Sequence, residues 1–158
     1  MNEEHTESEA STVTPNFRIN SFYLKSIDFD SEVPMHLVKA EWNPDARMDL
    51  DLNHNAYSNN HYSVELKIMI NVEVEKKTIF TMKVMYGGIF EIAHYSKEDT
   101  YHLLNSHCAS FIFPHACQMV SQVTTQAGYP TLNLAPIDFE ARFQTLQEKS
   151  KRPEKEGA

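Results

Sequence analysis

Residues 62–75, YSVELKIMINVEVE, alternate apolar and polar side chains more regularly than any other segment of the chain. Valine, leucine or isoleucine occupies every even position from 64 to 74, and polar residues occupy the odd positions except at Met69. Because successive side chains of a β-strand point to opposite faces of its sheet, this pattern predicts a long strand with one buried face and one wet face.

Three other segments have the same period of two and are predicted to complete an antiparallel sheet. Residues 16–30 alternate with a slip near the middle, which predicts a strand containing a break or a bulge. Residues 47–53 predict a second strand, and residues 78–92 alternate except where Gly87 and Gly88 suggest a bulge or a close backbone approach. The segments between them, one bracketed by prolines and one the polar run HNAYSNNHY, are predicted to be loops.

Beyond the fourth strand the apolar period changes from two to about 3.6, which predicts helices. Ser96 followed by Asp99 resembles the capping pattern of a short helix. Pro114 suits the first turn of a longer helix that ends at Gly128, and Asp138 would cap a last helix. Four strands followed by helices predict an α+β fold, in which C-terminal helices pack on one face of a four-stranded antiparallel sheet.

The length of 158 residues and the distribution of charge predict one folded domain over residues 17–146. Residues 1–16 are expected to be a disordered acidic tail, and residues 147–158 a disordered charged tail. Two modest helices cannot cover a sheet with so long a third strand. The uncovered apolar surface is therefore predicted to meet a second copy, another polypeptide, or both.

The net charge of −8 disfavours nucleic-acid backbones and anionic membranes as partners and favours basic polypeptide segments. The acidic, polar start of the chain does not match a secretory signal, and no apolar run approaches the ~18 residues that a membrane span needs. Cys108 and Cys117, the two cysteines, lie among apolar residues and do not form a disulfide framework. These features predict a cytoplasmic protein that does not insert into membranes.

No set of residues in the sequence predicts catalysis or a cofactor. The densest group of potential metal ligands lacks the spacing of roughly two to four residues that paired zinc ligands usually have. A cysteine–histidine nucleophile has no supporting local motif, and no glycine-rich phosphate-binding motif occurs. Asp49 and Asp51 point the same way along a strand, but alternation alone requires polar residues there. The potential ligands are His102, His107, Cys108, His115 and Cys117.

Aromatic and methionine side chains are concentrated around the proline-bracketed loop and the sheet. For any one of these side chains, packing in the protein's own core is as good an explanation as a role in binding. Next to an incompletely covered sheet, the set as a whole favours a groove that accepts varied apolar side chains. The set is Trp42, Met48, Phe80, Met82, Met85 and Tyr86.

Three segments, YGGIFEI at 86–92, HCASFIFPHA at 107–116 and GYPTLNLAPIDFEARF at 128–143, together resemble the SecB family of protein-export chaperones. With KAEWNPDARMDLDLN at 39–53, the similarity covers residues 17–143. The resemblance implies a homotetramer, built as a dimer of dimers, that keeps unfolded precursor polypeptides competent for translocation without ATP. It also implies delivery of these precursors to the translocation motor SecA, and it implies no cofactor, metal or catalytic residue.

The resemblance further implies three functional surfaces, which are expectations. The client-binding groove is expected at Trp42, Met48, Leu50, Phe139 and Phe143. The subunit interface is expected at Phe80, Met82, Val84 and Tyr86. The surface that faces SecA is expected at Ser26, Asp28, Asp30, Thr81 and Lys83.

The sequence departs from the family pattern on the SecA-facing surface, where Ser26 and Lys83 replace two expected acids. Lys83 places a positive charge where a basic SecA tail needs an acid, so docking to SecA is expected to be weaker or rearranged. This departure leaves open a SecB-like chaperone dedicated to one partner, such as an antitoxin. A small-molecule-binding or hydrolytic α+β domain is the alternative of another class, with no convergent acid–base set to support it.

Overall fold

The computed structural model describes residues 14–151. Its four strands form one antiparallel sheet in the order β1-β4-β3-β2, so β1 and β2 are the edge strands. The predicted α+β fold is confirmed by this sheet and by the helices that follow it. Most of the predicted N-terminal tail lies outside the described residues, and Asn16 already belongs to β1. The strands span Asn16–Ser31 (β1), Asp45–Ser58 (β2), His61–Val74 (β3) and Lys77–Ala93 (β4).

Three helices follow the sheet. The predicted cap of the first is confirmed, because the Ser96 hydroxyl accepts a hydrogen bond of 3.0 Å from the backbone N–H of Asp99. A π-helical turn over Leu103–His107 joins the first helix to the second without a break. The helices span Lys97–His102 (α1), Cys108–Gln126 (α2) and Phe139–Lys151 (α3).

The alternation in β3 separates the two faces of the sheet. Its even positions from Val64 to Val74 are at most 4% exposed, whereas its odd positions are partly exposed. The even positions lie on the face that carries α2, here called the inner face, and the odd positions lie on the outer face. Met69, the exception in the sequence pattern, is 37% exposed on the outer face.

β1 pairs with β4 along most of its length but with two register shifts. These shifts leave Asn20 and Lys25 without a partner on β4, so the predicted break consists of two bulges. The bulges reset the alternation. Phe22 and Leu24 therefore face inward after the first bulge, and Ile27 faces inward after the second.

β4 itself is uninterrupted, and its pairing with β3 continues through Gly87 and Gly88. A Cβ at Gly87 would lie 2.8 Å from Cε2 of Tyr23, and a Cβ at Gly88 would lie 2.7 Å from Cε2 of Phe90. Both distances are too short for a real contact. Of the two predicted roles of the glycine pair, close approach is therefore confirmed and a bulge in β4 is not found.

Two elements are longer than predicted. β2 continues to Ser58, so the polar run that was predicted to be a loop is mostly strand, and only Asn59 and Asn60 form the turn. Residues 55–58 at this end are exposed, which explains why polar side chains are tolerated there. α3 continues to residue 151, so the prediction of a disordered tail was wrong for residues 147–151, and residues 152–158 lie outside the described part.

Pro114 lies inside α2 rather than in its first turn, so the predicted start of this helix was wrong. A proline in a helix interior removes one hydrogen bond and costs ~3 kcal/mol. Ile112 and Phe113 beside it are buried in the core. Burying such side chains contributes ~1.5–3 kcal/mol each, which offsets the cost of the proline and keeps the helix continuous.

The connection from α2 to α3 is capped at both ends as predicted. Gly128 has a φ of 88°, and the N–H of Tyr129 donates to the carbonyl of Thr124 at 3.1 Å. This is the Schellman arrangement that ends a helix at a glycine. Asp138 caps α3, because its carboxylate accepts a hydrogen bond of 3.0 Å from the N–H of Ala141.

Three of the four residues expected at a subunit interface lie in the core of the single chain. Phe80, Met82 and Val84 are 1%, 3% and 0% exposed on the inner face of β4, and the ring of Phe80 packs on Tyr129 with 4.7 Å between centroids. Their assignment to an interface was therefore wrong, because the protein's own residues already surround their side chains. Tyr86 in the same row is only half-buried, and its place in an interface stays a prediction.

Candidate functional site

The inner face of the edge strand β2 is incompletely covered. α2 packs mainly over β3 and β4. Met48, Leu50 and Leu52 face inward on β2 and are half-buried, whereas the β3 residues opposite them are buried. The structure thus leaves Met48 and Leu50, two of the predicted groove residues, partly accessible.

Trp42 lies at the end of the loop that crosses from β1 to β2. Its ring stacks on Tyr129 with 6.0 Å between centroids and 23° between planes, and it remains half-buried. Tyr129 is held firmly, because its hydroxyl donates to the carbonyl of Val33 at 2.8 Å and its ring packs on Phe80. One side of the indole is therefore fixed by the core, and the rest is accessible.

A second set of half-buried apolar side chains lies in the loop between α2 and α3 and was not predicted as part of the groove. Leu132, Leu134 and Ile137 pack against the same core. The backbone of Leu132 is held by the hydroxyls of Thr124 and Ser121, each at 3.1 Å. The alternation of leucine and polar residues in TLNLAP was the signal that could have identified them. We call the following residues together the apolar surface: Trp42, Met48, Leu50, Leu52, Leu132, Leu134 and Ile137.

Phe139 and Phe143 were also predicted to line the groove, but they are 3% and 5% exposed. Phe139 packs on Phe113 with 5.4 Å between centroids, and Phe143 stacks on His102 at 4.7 Å. Their prediction as accessible groove residues was wrong, because α3 turns its aromatic stripe toward α1 and α2 instead of toward solvent.

Hydrogen bonds hold α3 next to the apolar surface. The Glu140 carboxylate accepts hydrogen bonds from the hydroxyl of Ser106 and from Nε2 of His102, each at 2.6 Å. Arg142 donates to the backbone carbonyl of Leu50 at 3.5 Å. The hydrogen bond from Ser106, followed by that from His102, holds the pKa of Glu140 below its usual value.

Replacing Glu140 with glutamine is expected to reduce the acid sensitivity of the fold. Because the folded pKa is lowered, the ionised carboxylate contributes stability above the ordinary value of 4.5, and this contribution is lost as pH falls through the lowered pKa. The wild type should therefore melt at a higher temperature than E140Q at neutral pH, and the difference should shrink below about pH 4.5. Thermal unfolding followed by circular dichroism measures both. A difference that stays constant with pH would contradict this linkage.

The residues expected to face SecA lie together on the outer face, near the β1 edge. In the pairing of β1 with β4, Asp28 lies opposite Lys83 and Asp30 opposite Thr81, with Ser26 one step along the same face. All of these except Ser26 line a concavity of about 840 Å³. Nζ of Lys83 lies 3.7 Å from Oδ2 of Asp28, so the positive charge is partly neutralised within the surface itself.

Four outer-face residues of this concavity were not predicted as part of the surface. They are Arg47, Asp49, Met69 and Asn71, all at odd positions of β2 and β3, so the sequence period was sufficient to place them. Arg47 adds a second positive charge. Met69 supplies an exposed apolar side chain between charged neighbours, and Oδ1 of Asn71 has no hydrogen-bond partner among the described residues.

The structure gives the cysteines no catalytic environment. Burial raises the pKa of the Cys108 thiol to about 12, and burial also raises the pKa of Cys117. A thiol with a raised pKa is a poor nucleophile at neutral pH. Among residues 14–151, no three side chains of His, Cys, Asp or Glu are grouped closely enough to hold a metal ion.

None of the helices within the described residues is both long enough and apolar enough to cross a bilayer.

Comparison with known proteins gives a family match and similar solved structures. The SecB-like chaperone of Mycobacterium tuberculosis, solved in complex with a ChAD peptide from the HigA1 antitoxin, is similar with a TM-score of 0.65 and 11% identity, over 77% of this chain and 90% of that chain. At this identity the likeness shows a shared fold. A protein of unknown function from Streptococcus agalactiae has a TM-score of 0.42 and 10% identity, over 78% of this chain and 99% of that chain. The family model described as preprotein translocase subunit SecB matches residues 10–150, and the chain therefore belongs to the SecB family of chaperones.

Proposed function

We propose that this protein is an ATP-independent chaperone that binds unfolded precursor polypeptides on the apolar surface. One observation carries the proposal. Met48, Leu50 and Leu52 on β2 and Trp42 in the crossing loop are only half-buried, because the protein's own helices leave them partly uncovered. Burying apolar area contributes ~25 cal/mol per Å², whatever the sequence that supplies it. Such a surface selects polypeptides that expose apolar side chains, and therefore unfolded ones.

Several features of the chain support the remaining parts of this proposal. The net charge of −8 favours segments that combine apolar and basic residues. A homotetramer would present several apolar surfaces to one long client, and linked contacts raise the overall affinity without any single strong contact. We place this activity in the cytoplasm and without a cofactor, so that a client is released by competition rather than by ATP hydrolysis.

Aggregation of an unrelated, chemically unfolded protein tests this function. The purified chain should slow aggregation in the absence of ATP when it is present in stoichiometric amounts. Light scattering after dilution from denaturant measures the effect, and addition of ATP should not change it. Aggregation at the rate seen with an inert protein of the same concentration would contradict the proposal.

Delivery to SecA is the finer part of the proposal, and the outer face supports it. The concavity there combines acidic side chains at Asp28, Asp30 and Asp49 with the exposed Met69, which suits a basic partner with an apolar anchor. Lys83 weakens this complementarity, although its contact with Asp28 moderates its charge.

Replacing Lys83 with glutamate is expected to tighten binding of the basic SecA tail by a few-fold at low salt. The substitution removes one positive charge and adds one negative charge, so the net charge of the surface changes by −2, and Asp28 loses its present partner. Lys39→Glu is a matched control, because it makes the same change of charge in the crossing loop. Titration at low and high salt measures the effect. Equal affinities for wild type, K83E and K39E would show that the outer face does not bind this tail.

A SecB-like chaperone dedicated to one partner, such as an antitoxin, is the second candidate. The mixed charge of the outer face, with Lys83 and Arg47 among the acids, favours it because a general SecA contact would be weaker there. The relative from M. tuberculosis was solved with an antitoxin peptide. Capture from a lysate at low and high salt separates the two candidates, since many clients and SecA indicate export and a single recurring protein indicates a dedicated role.

A further inference from the structure

A cleft lies beyond the apolar surface, at the end of the sheet where β2 turns into β3. Its volume is about 410 Å³, and the residues at its floor include Ile92 and Leu104, which are 2% and 3% exposed. Residues of α1 line one side, and residues of β2 and β3 line the other. We call it the hairpin cleft, and its walls include His54, Ala56, Tyr62, Tyr95, Lys97 and Tyr101.

Aromatic rings form much of the wall of the hairpin cleft. Tyr101 of α1 is 51% exposed and meets His54 of β2 edge-on, with 5.9 Å between centroids. Tyr62 and Tyr95 are half-buried. Burial lowers the pKa of His54, so its imidazole is neutral at pH 7 and packs as an uncharged ring. Such walls suit a flat aromatic ring, which can stack on them while their hydroxyl and imidazole groups hydrogen-bond to its polar edge.

The hairpin cleft continues the apolar surface along one strand. Four successive even positions share the inner face of β2, and they carry Leu50, Leu52, His54 and Ala56. The first two belong to the apolar surface, and the last two line the cleft. Leu52 and Ala56 are about 13 Å apart along an extended strand. An extended client that covers Leu50 and Leu52 would therefore reach the cleft with a side chain about four to six residues further along.

The charge of the hairpin cleft is opposite in sign to that of the whole chain. The net charge of the chain is −8, yet no acid is found among the described residues that line the cleft. Lys97 lines it, is exposed, and forms no ion pair within residues 14–151. The nearby Asp99 lines a separate cleft together with Glu140. The hairpin cleft therefore favours a carboxylate next to the ring that it binds.

We propose that the hairpin cleft binds an aromatic side chain of the unfolded client, and that an acidic residue next to this side chain contacts Lys97. This site rests on the proposed chaperone function and adds a second contact to it, further along the same client segment. Two linked contacts raise the affinity for segments that supply both. The preferred clients are therefore those in which an aromatic–acidic pair lies about four to six residues from an apolar cluster.

Three labelled peptides of equal length test the proposal on the full chain by fluorescence anisotropy. Each contains two leucines for the apolar surface. The first also has a tyrosine–aspartate pair about five residues away, the second replaces its tyrosine with serine, and the third replaces its aspartate with lysine. The first should bind ~10-fold more tightly than the second, because the ring loses contact with water in the cleft. It should also bind several-fold more tightly than the third at low salt, because the lysine would meet Lys97.

Two substitutions at exposed positions act on the hairpin cleft without removing a core side chain. Ala56→Trp fills the cleft with a ring of the protein's own and should abolish the advantage of the first peptide over the second. Asn55→Trp is the matched control, because it adds the same ring on the outer face of the same strand, and it should keep that advantage. Lys97→Glu should reverse the preference between the first and third peptides.

The outcomes separate the cleft from the apolar surface. Equal affinities of the first and second peptides for the wild type, or an unchanged advantage in A56W, would overturn the hairpin cleft as an aromatic site. An unchanged preference in K97E would overturn the role of Lys97. The second peptide contacts only the apolar surface, so its failure to bind the wild type would count against the chaperone function itself.

Discussion

Replacing both Trp42 and Met48 with aspartate is expected to weaken the binding of an unfolded polypeptide by at least ~30-fold, which corresponds to ~2 kcal/mol. Trp42 supplies the largest ring of the apolar surface and is held in place by Tyr129, so little order has to be gained when a client covers it. A carboxylate at either position would have to lose its water on contact with apolar client groups. Fluorescence anisotropy of a labelled polypeptide that cannot fold, because it is reduced and alkylated, measures the affinity.

The control for this double variant is Tyr57→Asp. Tyr57 is 56% exposed at the end of the β2–β3 hairpin and does not belong to the apolar surface, so Y57D should bind as the wild type does. Leu134→Asp tests the other side of the surface and should weaken binding as well. Circular dichroism establishes that each variant is folded, which matters because Trp42 also contacts the core. Wild-type affinity in both the double variant and L134D would move the binding site elsewhere.

Phe80→Ala is expected to lower the free energy of unfolding by ~3–5 kcal/mol, because it leaves a cavity in the middle of the core. The ring of Phe80 lies between Phe29 and Tyr129, at centroid distances of 5.4 Å and 4.7 Å. Tyr129 in turn supports Trp42, so F80A should also weaken client binding. Urea unfolding at several protein concentrations measures the stability and shows whether it depends on assembly.

The experiment distinguishes a position of Phe80 in the core of the single chain from a position in a subunit interface. A core residue lowers the unfolding midpoint at every protein concentration, whereas an interface residue mainly changes the concentration dependence. Tyr86→Ala is the matched control, since Tyr86 is on the same row of β4 but half-buried, and it should cost less stability. A wild-type midpoint for F80A with a lower assembly mass would restore Phe80 to the subunit interface.

The period of two was sufficient to predict which residues share a face of the sheet, but not what covers that face. Phe80 and Met48 both point inward, and the sequence offered no way to distinguish them. Strand order made the difference, because β4 is central and lies under α2, whereas β2 is an edge strand. Local pattern therefore predicted the inner and outer faces, and tertiary arrangement separated the core from the accessible surface.

The same limit explains the incorrect predictions in the helices. Phe139 and Phe143 formed an apolar stripe in the sequence, yet only the packing of α3 on α1 and α2 shows that the stripe is covered. Pro114 is typical of a first helical turn, and the burial of Ile112 and Phe113 allowed the helix to start earlier. By contrast, caps at Ser96 and Asp138 were predictable because each depends on residues three positions apart.

The polar end of the β2–β3 hairpin shows that polarity indicates exposure rather than the absence of a strand. Residues 54–58 pair with β3, although most of them are exposed. Only His54 is half-buried, against Tyr101 of α1, so residues 55–58 require no apolar side chains. The lack of alternation there was a correct sign of exposure, and the loop inferred from it was wrong.

Trp42 allows the most direct test of the central claim, because it is the only tryptophan in the chain. The full chain is titrated, without ATP, with an unfolded polypeptide that contains no tryptophan, and the emission of Trp42 is recorded beside the anisotropy of the labelled polypeptide. We predict a saturable shift of the emission to shorter wavelength that follows the binding curve, because the client covers the half-buried indole. Binding of the polypeptide with no change in the emission of Trp42, or no binding at all, would contradict the account.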